Sequence, residues 1–177
     1  MGAMRKAMLV ASTAATAVVL SAGSGVGSGI GPGAGSAVAS GAGVGAGPEA
    51  VEADVAHHGD VSLWGGRLAV RLSTGNHGPS DLTGATARLG FSVPLAAGQK
   101  LPDACLWGGN QIVYCQAGAL RADGRDSEFL LDLRTVGDPA EVSVDVSTVW
   151  NGGADDQNPD NDKHQVLVPA TGDLYVY

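Results

Sequence analysis

Nowhere do apolar side chains return every three or four positions over the length of a helix, and that absence excludes a helical domain. A membrane span is missing as well, since the apolar run from Ala7 to Leu20 is too short to cross comfortably. Basic residues are scarce: Lys and Arg number 10 against 18 Asp and Glu. Arg5 and Lys6 stand at the extreme N-terminus, so the chain beyond them carries 8 basic against 18 acidic residues, a net charge of −10 with His neutral. Such a balance repels phosphate backbones and excludes nucleic acid as a partner. No Gly-x-Ser-x-Gly elbow is present, and the scattered Ser, His and acidic residues single out no triad. His57, His58, His77 and His164 fall at no ligand spacing with the two cysteines, which argues against zinc and leaves them as surface-turn residues. The chain contains 28 glycines, yet none form Gly-x-Gly-x-x-Gly. We therefore assign no catalytic residue, no cofactor and no enzymatic activity.

What is present begins with an export signal. Arg5-Lys6 precedes the apolar run and small residues follow it, which predicts cleavage after Ala22, with Ala37-Val38-Ala39 offering a second site as late as residue 39. Arg5-Lys6 is not a twin-arginine pair and no cysteine follows to accept a lipid, so the expected product is secreted or associated with the cell envelope. From Gly23 to Gly47 every odd position is Gly or Ala, with Ser, Val, Ala, Ile or Pro between. Residues 23–49 read as a flexible linker, because such sequence loses much backbone entropy on ordering and has little to bury.

Residues 50–177 form one domain by length. Within it the apolar period is two. Leu68, Val70 and Leu72 alternate with polar residues, as do Ala85 to Val93, Phe129 to Leu133 and Val142 to Val146. Val166-x-Val168 and Leu174-x-Val176 supply closing strands. Turn clusters separate these runs at residues 74–79, 137–139 and 151–153. The expected fold is all-β, an immunoglobulin-like antiparallel β-sandwich of about seven to nine strands. At its centre stands Leu101 to Leu133, where Cys105 and Cys115 lie symmetrically about Asn110 and Gly108-Gly109 supplies a turn, which predicts a hairpin clipped by a disulfide.

Several of these segments resemble a bacterial surface repeat of unknown function, an immunoglobulin-like domain related to the CARDB cell-adhesion-related group. Asn76-x-Gly78-Pro79-Ser80 matches its turn between two strands. Leu101-Pro102, Cys105, Cys115-x-x-Gly118-x-Leu120 and Gly124 match its middle. Asn158-Pro159-Asp160-Asn161-Asp162 matches its closing Asn-Pro-x-Asn-Asn turn, with Asp162 in place of the last Asn. The resemblance covers about residues 60–168 and implies a fold and an envelope setting, without catalytic residues.

Three further patterns bear on function. Trp64, Trp107 and Trp150 each precede a glycine-rich turn; they read as plugs at the ends of the core, or as rings that stack on sugars. Counting strands up and down puts Trp64 and Trp150 at one end and Trp107 at the other. Asp155, Asp156, Asn158, Asp160 and Asp162 offer oxygens at alternate positions as a calcium loop does, but Asn161 and Leu167 stand where an EF-hand starting at Asp156 needs Gly and Glu, so an acidic turn is the preferred reading. Val168-Pro169-Ala170-Thr171-Gly172 is one residue from a wall-sorting motif, with only five residues after it, and reads as the approach to a final strand. The functional expectation is a non-catalytic exported module that binds an envelope polysaccharide or surface protein, or that serves as a spacer.

Overall fold

A computed structural model of the chain describes residues 51–177; the expected signal (1–22, or to 39) and linker (23–49) lie outside the described residues. Within them the protein is all strand and turn, and no helix is long and apolar enough to cross a membrane. The strands are β1 (Glu52–Ala53), β2 (Val55–Trp64), β3 (Arg67–Asn76), β4 (Thr86–Phe91), β5 (Cys105–Trp107), β6 (Ile112–Gln116), β7 (Ser127–Arg134), β8 (Glu141–Trp150), β9 (Asp155–Asp156), β10 (Lys163–Pro169) and β11 (Tyr175–Val176). The count is eleven rather than seven to nine, because β1 and β9 are two-residue pieces too short to leave a periodic trace in sequence; the closing strand expected at Leu174-x-Val176 is present as the two-residue β11.

Two antiparallel sheets make the sandwich, one ordered β11-β2-β3-β7 and the other β10-β8-β4-β6-β5, while β1 and β9 form a short parallel pair. The orders β2-β3-β7 and β10-β8-β4-β6 reproduce the A-B-E and G-F-C-C′ arrangement of immunoglobulin-like sandwiches. The period-two pattern explains the packing. Leu68, Val70 and Leu72 of β3 and Phe129, Leu131 and Leu133 of β7 turn inward against Ala87, Leu89, Val142, Val144 and Val146 of the facing sheet, all buried.

Edges are guarded. Arg134, at the end of edge strand β7, gives its main-chain N–H to Gln99 Oε1 and receives bonds on its carbonyl from Gln99 Nε2 (3.0 Å) and Ala96 N (2.8 Å). The Gln99 carboxamide thus takes the place of the next strand, and the charged Glu128 and Asp132 occupy the remaining edge.

The predicted hairpin is present. Cys105 and Cys115 stand directly opposite each other on β5 and β6, with Cα atoms 4.1 Å apart, and are joined. The flanking pairs carry the ladder bonds, Gln116 N to Ala104 O and Gly108 N to Ile112 O, so the cysteines occupy a non-hydrogen-bonded pair, where side chains approach closest. A Cβ at Gly108 would lie 2.4 Å from the Tyr114 ring, which is why that turn position has no side chain.

Candidate functional site

The outward residues of β2, β3, β7 and β11 make one flat face on the four-stranded sheet. Register sets them in rows: Trp64 beside Arg67 and Arg134; Ser62 beside Ala69 and Asp132; Val176 beside Asp60, Arg71 and Leu130; His58 beside Ser73 and Glu128. Trp64 and Leu130 are each 68% exposed and Val176 79%, so three large apolar side chains meet solvent on this face.

Between them lie ion pairs. Arg67 Nε donates to Asp132 Oδ1 at 2.7 Å, and Arg71 Nε donates to Asp60 Oδ2 at 2.7 Å, each with a second guanidinium contact to the same carboxylate. Glu128 reaches Arg71 at 4.0 Å. The Arg67 guanidinium holds the Asp132 carboxyl below its ordinary value. Two adjoining clefts follow β3 here. One, of about 470 Å³, is floored by Ala69 between Arg67 and Arg71 and walled by Leu130. The other, of about 740 Å³, runs on past Ser73 to Arg125, Asp126 and Tyr177, and Asp60 and Arg71 belong to both. Burial and the Asp60 charge hold the Tyr177 phenol protonated well above its usual range, and its hydroxyl donates to Arg71 O at 3.1 Å.

The tryptophans do not plug the core. Trp107 is 39% exposed and Trp150 46%, and Trp64 more so. Their placement also corrects the strand count. Leu95 N bonds Asn110 O in the cysteine hairpin and Leu95 bridges Thr135, which in turn bonds Gly66 O, so Trp64 and Trp107 share one end; Trp150, paired with Thr86, lies at the other. The count failed because residues 92–104 run the length of the domain without becoming a strand, which makes β4 and β5 point the same way. Trp107 walls a cleft of about 280 Å³ with Leu95 and Ala96. Trp150 rests on Gly84, where a Cβ would sit 3.1 Å from its ring.

His57 is not a surface-turn residue. It is fully buried in β2, with Nδ1 3.0 Å from Thr74 Oγ1 in its own sheet and Nε2 2.9 Å from Thr148 Oγ1 in the opposite one. Burial first, then the neighbouring His164 and His58, push its pKa down to about 4, so it is neutral at pH 7 and bridges the two sheets by hydrogen bonds. His58 and His77 are exposed, and His164 leans on Tyr177 with ring centroids 5.6 Å apart.

The two turns of the surface-repeat pattern meet at the Trp150 end. Asn76, 3% exposed, accepts from Gly78 N (3.0 Å) and Asp54 N (3.3 Å) and donates to Ser80 O (2.8 Å). A Cβ at Gly78 would lie 2.6 Å from the backbone of Ala53 and Asp54. Asn161 Nδ2 donates to Asp54 Oδ1 at 2.8 Å, so Asp54 ties one turn to the other.

In the acidic loop, Asp156 spends one oxygen on Val55 N (3.1 Å) and the other on Asn158 N (3.0 Å). Asn158 and Asp160 are exposed. Asp162 is 7% exposed; burial raises its pKa, and Lys163 Nζ stands 3.7 Å from its Oδ1. Among the described residues no three carboxylate, imidazole or thiolate groups converge.

Sequence reasoning singled out Trp64 but missed Arg67, Arg71, Asp60, Asp132 and Leu130. A signal existed: Arg67-x-Ala69-x-Arg71 lies on the outward parity of a strand, and two cations flanking a small residue there imply a groove. Comparison with family models, with curated proteins and with solved structures finds no match to this chain.

Proposed function

We propose that this is an exported, non-catalytic binding module of the cell envelope or the medium, and that the outer face of its four-stranded sheet is the recognition surface. The observation that carries the reading is the presence of Trp64, Leu130 and Val176, all well exposed, on one face with two adjoining clefts. Large apolar side chains exposed beside clefts favour a site of interaction, whereas a spacer gains from uniformly polar faces. The signal sequence and the surface-repeat resemblance support the envelope setting.

The test is retention of the full chain on purified wall polysaccharide and on purified envelope proteins, alongside Leu130→Asp. We expect retention on at least one of them, weakened in the variant. No retention on any would leave the spacer function in its place. Retention unchanged in Leu130→Asp would move the site off this face.

A further inference from the structure

Resting on that reading of the face, we propose that the trough along β3 takes a neutral, polyhydroxylated chain, a polysaccharide strand without net charge. Four arginines, Arg67, Arg71, Arg125 and Arg134, belong to this face, and so do four carboxylates, Asp60, Asp126, Glu128 and Asp132. The face is therefore charge-balanced on a chain of net charge −8. A polyanion would meet Arg67 and Arg71 already gripped by carboxylates, and as many carboxylates as arginines on the face as a whole, inside an acidic field that repels it. A polycation would be drawn instead to the unpaired acidic surface elsewhere.

Hydroxyl groups fit what remains. Each Arg–Asp pair sets N–H donors beside carboxylate acceptors in one plane, which matches a hydroxyl's ability to donate and accept at once. The pairs at Asp132 and Asp60 stand either side of Ala69, whose short side chain leaves the floor open. Trp64, on the row next to Ala69, presents an indole for the apolar face of a sugar ring. The clefts join through Asp60 and Arg71, so the trough continues past a single sugar unit and suits a polymer.

A second copy of the chain is a poorer occupant. Three strands spaced about 4.8 Å, each with about four outward residues some 6.8 Å apart, together with the two-residue β11, present roughly 400 Å². A standard interface buries about 800 Å² per partner.

Affinity electrophoresis of the full chain through gels containing a neutral mannan, a neutral β-glucan or polygalacturonate tests the assignment. We expect at least one neutral polymer to retard the protein and polygalacturonate not to. Ala69→Ile, which fills the floor at an exposed strand position, and Trp64→Ala should each weaken retardation roughly tenfold or more, while Leu106→Ala, on the opposite sheet, should not. Retardation by polygalacturonate alone, or by no polymer, would overturn the ligand class. If an envelope protein still bound through Leu130, the face would stand and only the sugar would fall. Retardation by a neutral polymer that survives both Ala69→Ile and Trp64→Ala would place sugar binding elsewhere.

Discussion

At the scale of single residues, His57 is the most consequential side chain in the core. Its folded-state pKa of about 4 lies below the unfolded value of 6.5, so between those limits the folded protein holds fewer protons on this group than the unfolded chain. Its contribution is whole above pH 6.5 and is lost as pH falls through that window, a change of about 3 kcal/mol. Asp162 acts in the opposite sense: its carboxyl, raised chiefly by burial, holds its proton more tightly when folded. Comparison with a variant therefore isolates the histidine. His57→Leu should be less stable than wild type at pH 7 by about 2 kcal/mol, because two threonine hydroxyls lose their partner. That gap should close steadily from pH 7 to 4.5 in urea titrations; parallel curves would show that His57 does not titrate across the window. The inward placement of His57 was legible in principle, since it shares odd parity with Val55, Val61 and Leu63 on β2. It was obscured because His57-His58 reads as a polar pair until the strand is extended back to Val55.

At the scale of elements, what the sequence made plain were the runs with a period of two, β3, β4, β7 and β8, since each must bury one face and wet the other. What it hid were elements whose form depends on distant partners. The segment 92–104 is held by scattered main-chain and side-chain bonds to Ser143, Asn110 and Arg134, and nothing in its own residues signals that path. The floor at Ala69 was half legible for a related reason, because Arg67 and Arg71 mark it in the sequence while its wall, Leu130, comes from β7. The cysteine hairpin was legible because its signal is local. Its bridge closes a separation of ten residues, which in the chain-entropy picture is worth roughly 2.5–3 kcal/mol. Since β5 is a three-residue edge strand, we expect reduction to lower the unfolding free energy from urea titrations by that amount and to alter Trp107 fluorescence first; an unchanged unfolding free energy would show that the edge hairpin does not depend on its clip. The acidic loop offers a second test. Asp156 satisfies two main-chain N–H groups and Asp162 faces Lys163, and among the described residues no three carboxylates converge to hold a cation. Melting curves in millimolar calcium and in magnesium at the same ionic strength should overlap, and a calcium-specific rise of several degrees, lost in Asp156→Ala, would overturn that reading.

At the scale of the whole molecule, two electrostatic effects compete, and their sizes decide the response to salt. The Arg67–Asp132 and Arg71–Asp60–Glu128 pairs are largely exposed on their arginine side, where such pairs contribute about 0–1 kcal/mol, and salt weakens them. Against this, a chain with 18 acidic and 10 basic residues repels itself when compact, and salt relieves that repulsion over distances beyond about 10 Å. Among the described residues three of the four ion pairs lie on one face and the fourth, Lys163–Asp162, in the acidic loop, while the acidic excess is spread over the opposite sheet, the turns and the loop between β8 and β10. Repulsion therefore acts over more of the surface than attraction does. We expect the melting temperature to rise as sodium chloride is increased from about 0.01 to 0.15 M, the interval over which the screening length falls from about 30 to 8 Å. Arg67→Ala and Arg71→Ala should each steepen that rise, since each removes a cation that offsets the acidic excess, while costing little stability at the higher salt. A melting temperature that falls with salt would mean that the ion pairs of the recognition face outweigh the net charge and hold more of the fold together than their exposure implies.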